Sequence, residues 1–115
     1  TMSGHKVNSG DNVDAYLCFI EAKRNSYDKP MFQRLDGIYF NTLFNYNEQN
    51  KNIKRTYNMA DGVIFQSEFN KHLTFHYFGE HPNYKIIHNG ADVDLIKQIP
   101  KLELNKYDKL WCWSC

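Results

Sequence analysis

Three polar clusters stand directly after short apolar runs. Arg34, Asp36 and Gly37 surround the end of Met31-Phe-Gln-Arg-Leu35, Gln66 and Ser67 follow Val63-Ile-Phe65, and His88, Asn89 and Gly90 follow Tyr84-Lys-Ile-Ile87. A carboxylate such as Asp36, set at a strand end facing a cleft, can take a proton from a hydroxyl as that hydroxyl attacks an electrophile. Asp36-Gly37 is equally a common turn pair, and the residues alone leave both roles open. Arg34 carries the planar fork that holds a phosphate or carboxylate through two hydrogen bonds, or it pairs with a neighbouring acid. Asn89-Gly90 marks a tight backbone approach, with glycine free to take positive φ and a helix N-terminus arriving near Asp92.

A second constellation is weaker. His72 and His76 lie four apart on a helical stretch, and Cys112 and Cys115 close the sequence, so a Cys2His2 zinc site has to be weighed. The helix lacks the glutamate of a His-Glu-x-x-His motif, and Cys112 alternates with Trp111 and Trp113 as a strand would place it. Buried thiol is the simpler reading, and no metal is expected. No Gly-x-Gly-x-x-Gly, Gly-x-x-x-x-Gly-Lys-Ser/Thr or Gly-x-Ser-x-Gly motif occurs, nor a basic-aromatic stripe of the nucleic-acid kind.

The elements that must position these residues follow from periodicity. Ala15-Tyr-Leu-Cys-Phe-Ile20 is an apolar run too short for a free-standing helix, and such runs suit strands of a parallel sheet. Met31 to Leu35, Val63 to Phe65 and Tyr84 to His88 are further strands. Over Tyr46 to Ala60, Ile53, Tyr57 and Ala60 recur at i, i+4 and i+7 while Glu48, Lys51, Lys54 and Arg55 take other faces, which predicts an amphipathic helix. Ser67 offers an N-cap for a helix through Phe78 with Gly79 as its stop, and Asp92 to Ile99 is a short helix closed by Pro100. Lys109 to Trp113 reads as a last strand. Strands alternating with helical crossovers predict an α/β fold with a parallel, Rossmann-like three-layer sheet.

Length and composition set bounds. The chain has 115 residues, one domain's worth, and is 42% hydrophobic and 16% aromatic, a globular composition. Fourteen basic and thirteen acidic residues give a net charge of +1, which asks for neither nucleic acid nor an anionic membrane. Three cysteines, no Asn-x-Ser/Thr acceptor and no leader-like start suggest a reducing, cytoplasmic setting, with room for peripheral membrane association. The longest apolar runs fall far below the roughly 20 residues of a membrane span.

The order of these pieces carries a resemblance. Ala60-Asp-Gly-Val-Ile-Phe-Gln-Ser-Glu-Phe-Asn-Lys-His-Leu73, followed by Tyr84-Lys-Ile-Ile-His-Asn-Gly-Ala-Asp92, resembles family-4 glycosyltransferases of the GT-B fold. There an "A-D-x-V-I-x-x-S" strand and its helix precede a strand reading "V-I-x-N-G-V-D". Met31 to Asp36 is similar to an earlier strand of that family whose end usually carries a His facing the acceptor cleft; Asp36 stands there in this chain. The resemblance spans roughly Pro30 to Trp113. It implies a polar tail or loop over residues 1–12, part of an acceptor-side Rossmann-like domain over 13–100, and a linker with the first strand of a donor-side domain over 101–115. The family's Gly-rich loop, Glu-x7-Glu region and diphosphate-holding basic residues are not in the sequence, so it reads as a fragment inactive on its own.

By the same implication Asp36 is the acceptor-side base, Arg34, Gly37 and Asn41 line its edge, Gln66 and Ser67 lie across, and Asn89 and Gly90 form the turn nearest the donor. The substrates implied are a nucleotide-sugar donor and a sugar or lipid-linked glycan acceptor, with no cofactor. The alternative is a non-catalytic Rossmann-like binding or interaction module, with self-association through exposed strand edges. A sugar-nucleotide epimerase or dehydrogenase would need the dinucleotide glycine loop and a Tyr-x-x-x-Lys pair, both absent.

Overall fold

The computed structural model describes residues 6–7 and 12–100. Most of the polar tail and the whole of 101–115, with the strand expected at Lys109 to Trp113 and the cysteines Cys112 and Cys115, lie outside the described residues. Four strands, β1 (Tyr16–Phe19), β2 (Met31–Leu35), β3 (Gly62–Phe65) and β4 (Tyr84–Ile86), form an all-parallel sheet in the order β1-β2-β3-β4. Helices α1 (Tyr46–Gln49) and α2 (Lys51–Met59) connect β2 to β3, α3 (Glu68–Phe78) connects β3 to β4, and α4 (Val93–Gln98) follows. The expected α/β fold with a parallel, Rossmann-like sheet is therefore present.

Each boundary has a local cause. Ser67 accepts a hydrogen bond from the Asn70 backbone N–H at 3.1 Å and starts α3. Gly79 ends it at φ 96°, a conformation that disfavours any side chain. The single helix expected over Tyr46 to Ala60 is divided at Asn50, whose buried side chain turns away to hold the preceding loop. It accepts from the Tyr39 N–H at 2.9 Å and donates to the Tyr39 carbonyl at 2.6 Å.

The strands run in sequence order, so right-handed crossovers carry α2 and α3 to one face of the sheet. Met31, Gln33 and Leu35 alternate onto that face, with Gln33 and Leu35 paired in register with Val63 and Phe65. Against them pack Ile53 and Tyr57 of α2 and Phe75 and Phe78 of α3; the Phe65 and Phe75 rings meet edge-on at 5.8 Å, those of Tyr57 and Phe78 at 5.5 Å. Gln33 is fully buried and donates to the carbonyls of Ile20 at 2.5 Å and Ile53 at 3.3 Å. The first of these bonds secures a turn at the end of β1, where Ile20 takes φ 62°, a strained value for a β-branched residue. The β1–β2 connection is tied to α2 through Thr56, which accepts from the Ala22 N–H, and Arg55, which donates to the Ala22 carbonyl.

On the opposite face no described helix covers the sheet. Leu17, Phe19 and Phe32 remain 52%, 58% and 38% exposed, and an apolar cleft of about 300 Å³ runs along Phe32, Ile64 and Ile87. Gly62 belongs to this face: an added Cβ would come within 3.0 Å of the Phe32 ring, which lies across β3.

Two expectations follow. Phe65→Ala removes a fully buried ring and should cost about 3–5 kcal/mol in chemical denaturation, whereas Phe32→Ala on the open face should cost well under half of that. Burial, together with the Glu80 charge, pushes the Tyr57 phenol up to about 12 from 10.0, while its hydroxyl donates to the Gly79 carbonyl at 2.8 Å. The folded state thus holds that proton more tightly than the unfolded chain. The associated stability is present below pH 10 and is lost as pH rises through about 12; denaturation curves across that window should flatten in Tyr57→Phe.

Candidate functional site

In an open parallel sheet the carboxyl ends of the strands form the edge where ligands collect. Four side chains from three strand ends meet there in a closed ring. Arg34, inside the end of β2, lies 3.1 Å from Asp36 and donates to the Asn89 side-chain oxygen at 2.8 Å. Asn89, beyond β4, donates to the Gln66 side-chain oxygen at 2.9 Å, and Gln66, beyond β3, donates to Asp36. Asp36 when ionised only accepts and Arg34 only donates, so the two amides have one consistent orientation each. Gln66 must present its NH2 to Asp36, hence its oxygen to Asn89, and hence Asn89 its oxygen to Arg34.

The supports of this ring are buried. Asn70 of α3 donates to the carbonyl of Leu35, the last residue of β2, at 2.6 Å, and Thr74 donates to the Asn70 side-chain oxygen at 3.3 Å. That bond fixes the start of α3 against the end of β2, so Gln66 and Asp36 face each other. His88 donates through Nδ1 to the Gln66 carbonyl at 2.9 Å, and the Arg34 guanidinium stands 5.3 Å from the Phe19 ring centre in a cation–π contact. The charges of Arg34 and Asp36 balance within the ring. At the start of α3, Glu68 is held below the ordinary carboxylate value by its hydrogen bond to Lys71, and more weakly by the charges of Lys71, His72 and His88.

A cleft of about 350 Å³ opens beside the ring. Asp36, Gly37, Gln66, Ser67 and Asn89 border it, so five of the eight residues singled out from sequence share one cavity, and Arg34 joins them through the ring. Ser67 spends its hydroxyl on the α3 cap. Asn41 stands farther along the loop, accepting from the Leu43 N–H at 2.9 Å, and neither it nor Gly90 borders the cleft. Phe40 and Phe69, not among the site residues expected from the sequence, also line the cleft, with Ile38 and Leu73. Their only sequence signal is apolar side chains where a polar loop and a helix surface would be ordinary.

A larger hollow of about 570 Å³ lies on the outer side of the helices, among Asn45, Glu48, Lys51 and Arg55. It shares no lining residue with the cleft beside the ring, and it is walled by side chains of α1 and α2 with Tyr77 and Phe78 of α3. Among the described residues no group of three or more His, Cys, Asp or Glu is placed to hold a metal ion, and no helix is long and apolar enough to cross a membrane. His72 instead stands 3.6 Å from Glu68. Chemically the site can orient a carboxylate beside a hydroxyl-bearing ligand, with two amides to read it.

Set against models of known protein families, characterised proteins and solved structures, the chain matches none.

A closed ring predicts coupling. In a double-mutant cycle of Gln66→Ala and Asn89→Ala, chemical denaturation should give a non-additive term of about 0.5–1 kcal/mol; additivity within about 0.3 kcal/mol would mean the ring does not persist in solution.

Proposed function

We propose that this chain forms the acceptor-side part of a glycosyltransferase that moves a sugar from a nucleotide-sugar donor to a hydroxyl-bearing acceptor, with Asp36 as the base. The observation that carries the reading is the polar ring at the carboxyl edge of the parallel sheet, where a carboxylate is held in one orientation beside an open cleft. The motif order from Met31 to Asp92 supports it from the sequence side.

In this mechanism the acceptor O–H gives its proton to Asp36 as the oxygen bonds to the anomeric carbon. The bond from that carbon to the donor diphosphate breaks, and its electron pair leaves with the diphosphate. Gln66 and Arg34 hold Asp36 in place, and Asn89 orients both. Groups that stabilise the departing diphosphate would come from a second, donor-binding domain.

A second reading, a non-catalytic interaction module, is favoured by the uncovered apolar face bearing Leu17, Phe19 and Phe32. Sedimentation over a concentration series separates the two: a module built to pair through this face grows in size with concentration. For the catalytic reading, Asp36→Asn in the full-length protein should lower turnover about 10²–10⁴-fold with donor affinity little changed. Unchanged turnover would remove Asp36 from the mechanism.

A further inference from the structure

Four apolar side chains share the cleft with Asp36, Gln66 and Asn89 of the polar ring. Ile38 is buried and Leu73 half-buried, but Phe40 and Phe69 are 49% and 70% exposed where they border the cleft. Single exposed apolar side chains need no explanation. These two differ in being presented by fixed backbone on one cavity that Asp36, Gln66 and Asn89 also border. Phe69 sits in the first turn of α3, whose start is capped by Ser67 and tied to β2 through Asn70. Phe40 follows Tyr39, whose N–H and carbonyl are both engaged by the buried Asn50 side chain, and Ile38 before it is anchored in the core. Asn50 interrupts a helix to make this clamp. The loop is therefore held with Phe40 outward, and the cleft joins a polar edge to an apolar wall.

We infer that Phe40 and Phe69 are specificity-determining residues that take the apolar body of an amphipathic acceptor, whose hydroxylated end meets Asp36, Gln66 and Asn89. This rests on the acceptor-site reading above. It narrows that reading from any hydroxyl compound to one carrying an aliphatic or aromatic moiety next to its polar end. A wholly hydrophilic acceptor would bury far less apolar surface against the two rings. An apolar moiety laid against them leaves water at about 25 cal/mol per Å² of buried surface.

The test uses matched methyl, butyl and hexyl β-pyranosides of glucose, galactose and mannose, titrated into the full-length protein by calorimetry. In at least one sugar series, affinity should rise roughly ten- to hundred-fold from methyl to hexyl, since each fully buried methylene is worth about four-fold. Phe40→Ala and Phe69→Ala should each remove much of that gain, and the Leu variants should retain most of it. Circular dichroism confirms that the variants are folded. Binding independent of chain length, or a gain that survives both alanine variants, overturns the inference and leaves the acceptor site standing. A gain that depends on the phenylalanines, with turnover indifferent to Asp36→Asn, leaves the wall standing and removes the catalytic reading. If no glycoside of any series binds, both fall.

Discussion

The packing of β2 and β3 against two helices on one face fixes everything that the strand ends carry. Leu35 and Phe65 are paired in register and wholly removed from solvent, so neither strand can slide without moving its apolar set out of the core. The residues that follow, Asp36 and Gln66, inherit that rigidity. The Asn70–Leu35 hydrogen bond extends it to α3, because a buried amide that lost this partner would be left unsatisfied.

On this foundation the ring needs little energy of its own. Its members are largely exposed, where individual ion pairs and hydrogen bonds contribute modestly. What the ring supplies is direction: an acceptor-only carboxylate and a donor-only guanidinium polarise the two amides between them, so that Gln66 and Asn89 present defined groups. A site assembled this way can select a ligand by the pattern of its donors and acceptors without contributing much to the stability of the fold.

Local signals made most of the fold legible in the sequence. The apolar runs at β1 to β4, the Ser67 cap, the Gly79 stop and the helix after Asp92 are all written within a few residues of where they act, and the structure places them within one or two positions. The ring was legible only in part. Its members were recognisable because each follows a strand, yet the contact between Arg34 and Asn89 joins residues 55 apart, and nothing in the spacing says which polar groups will meet. The division of the helix at Asn50 depends on Tyr39, eleven residues earlier, and periodicity does not report such a tertiary demand. The strand patterns likewise carry apolar residues on both faces, which reads as cover on both. The described helices supply that cover on one face alone.

Two of the apolar surfaces left open among the described residues differ in kind. Leu17, Phe19 and Phe32 lie on the sheet itself, a broad surface of the sort that another layer of protein covers. Phe40 and Phe69 stand at the strand ends on a cleft that Asp36, Gln66 and Asn89 also border, and a covering layer there would bury those polar side chains as well. Covering Asp36, Gln66 and Asn89 would strip water from the hydrogen-bonding capacity that the ring does not use, at about 1–3 kcal/mol for each group left unsatisfied, which offsets what the two phenylalanines return. A ligand that brings its own hydroxyls avoids that cost.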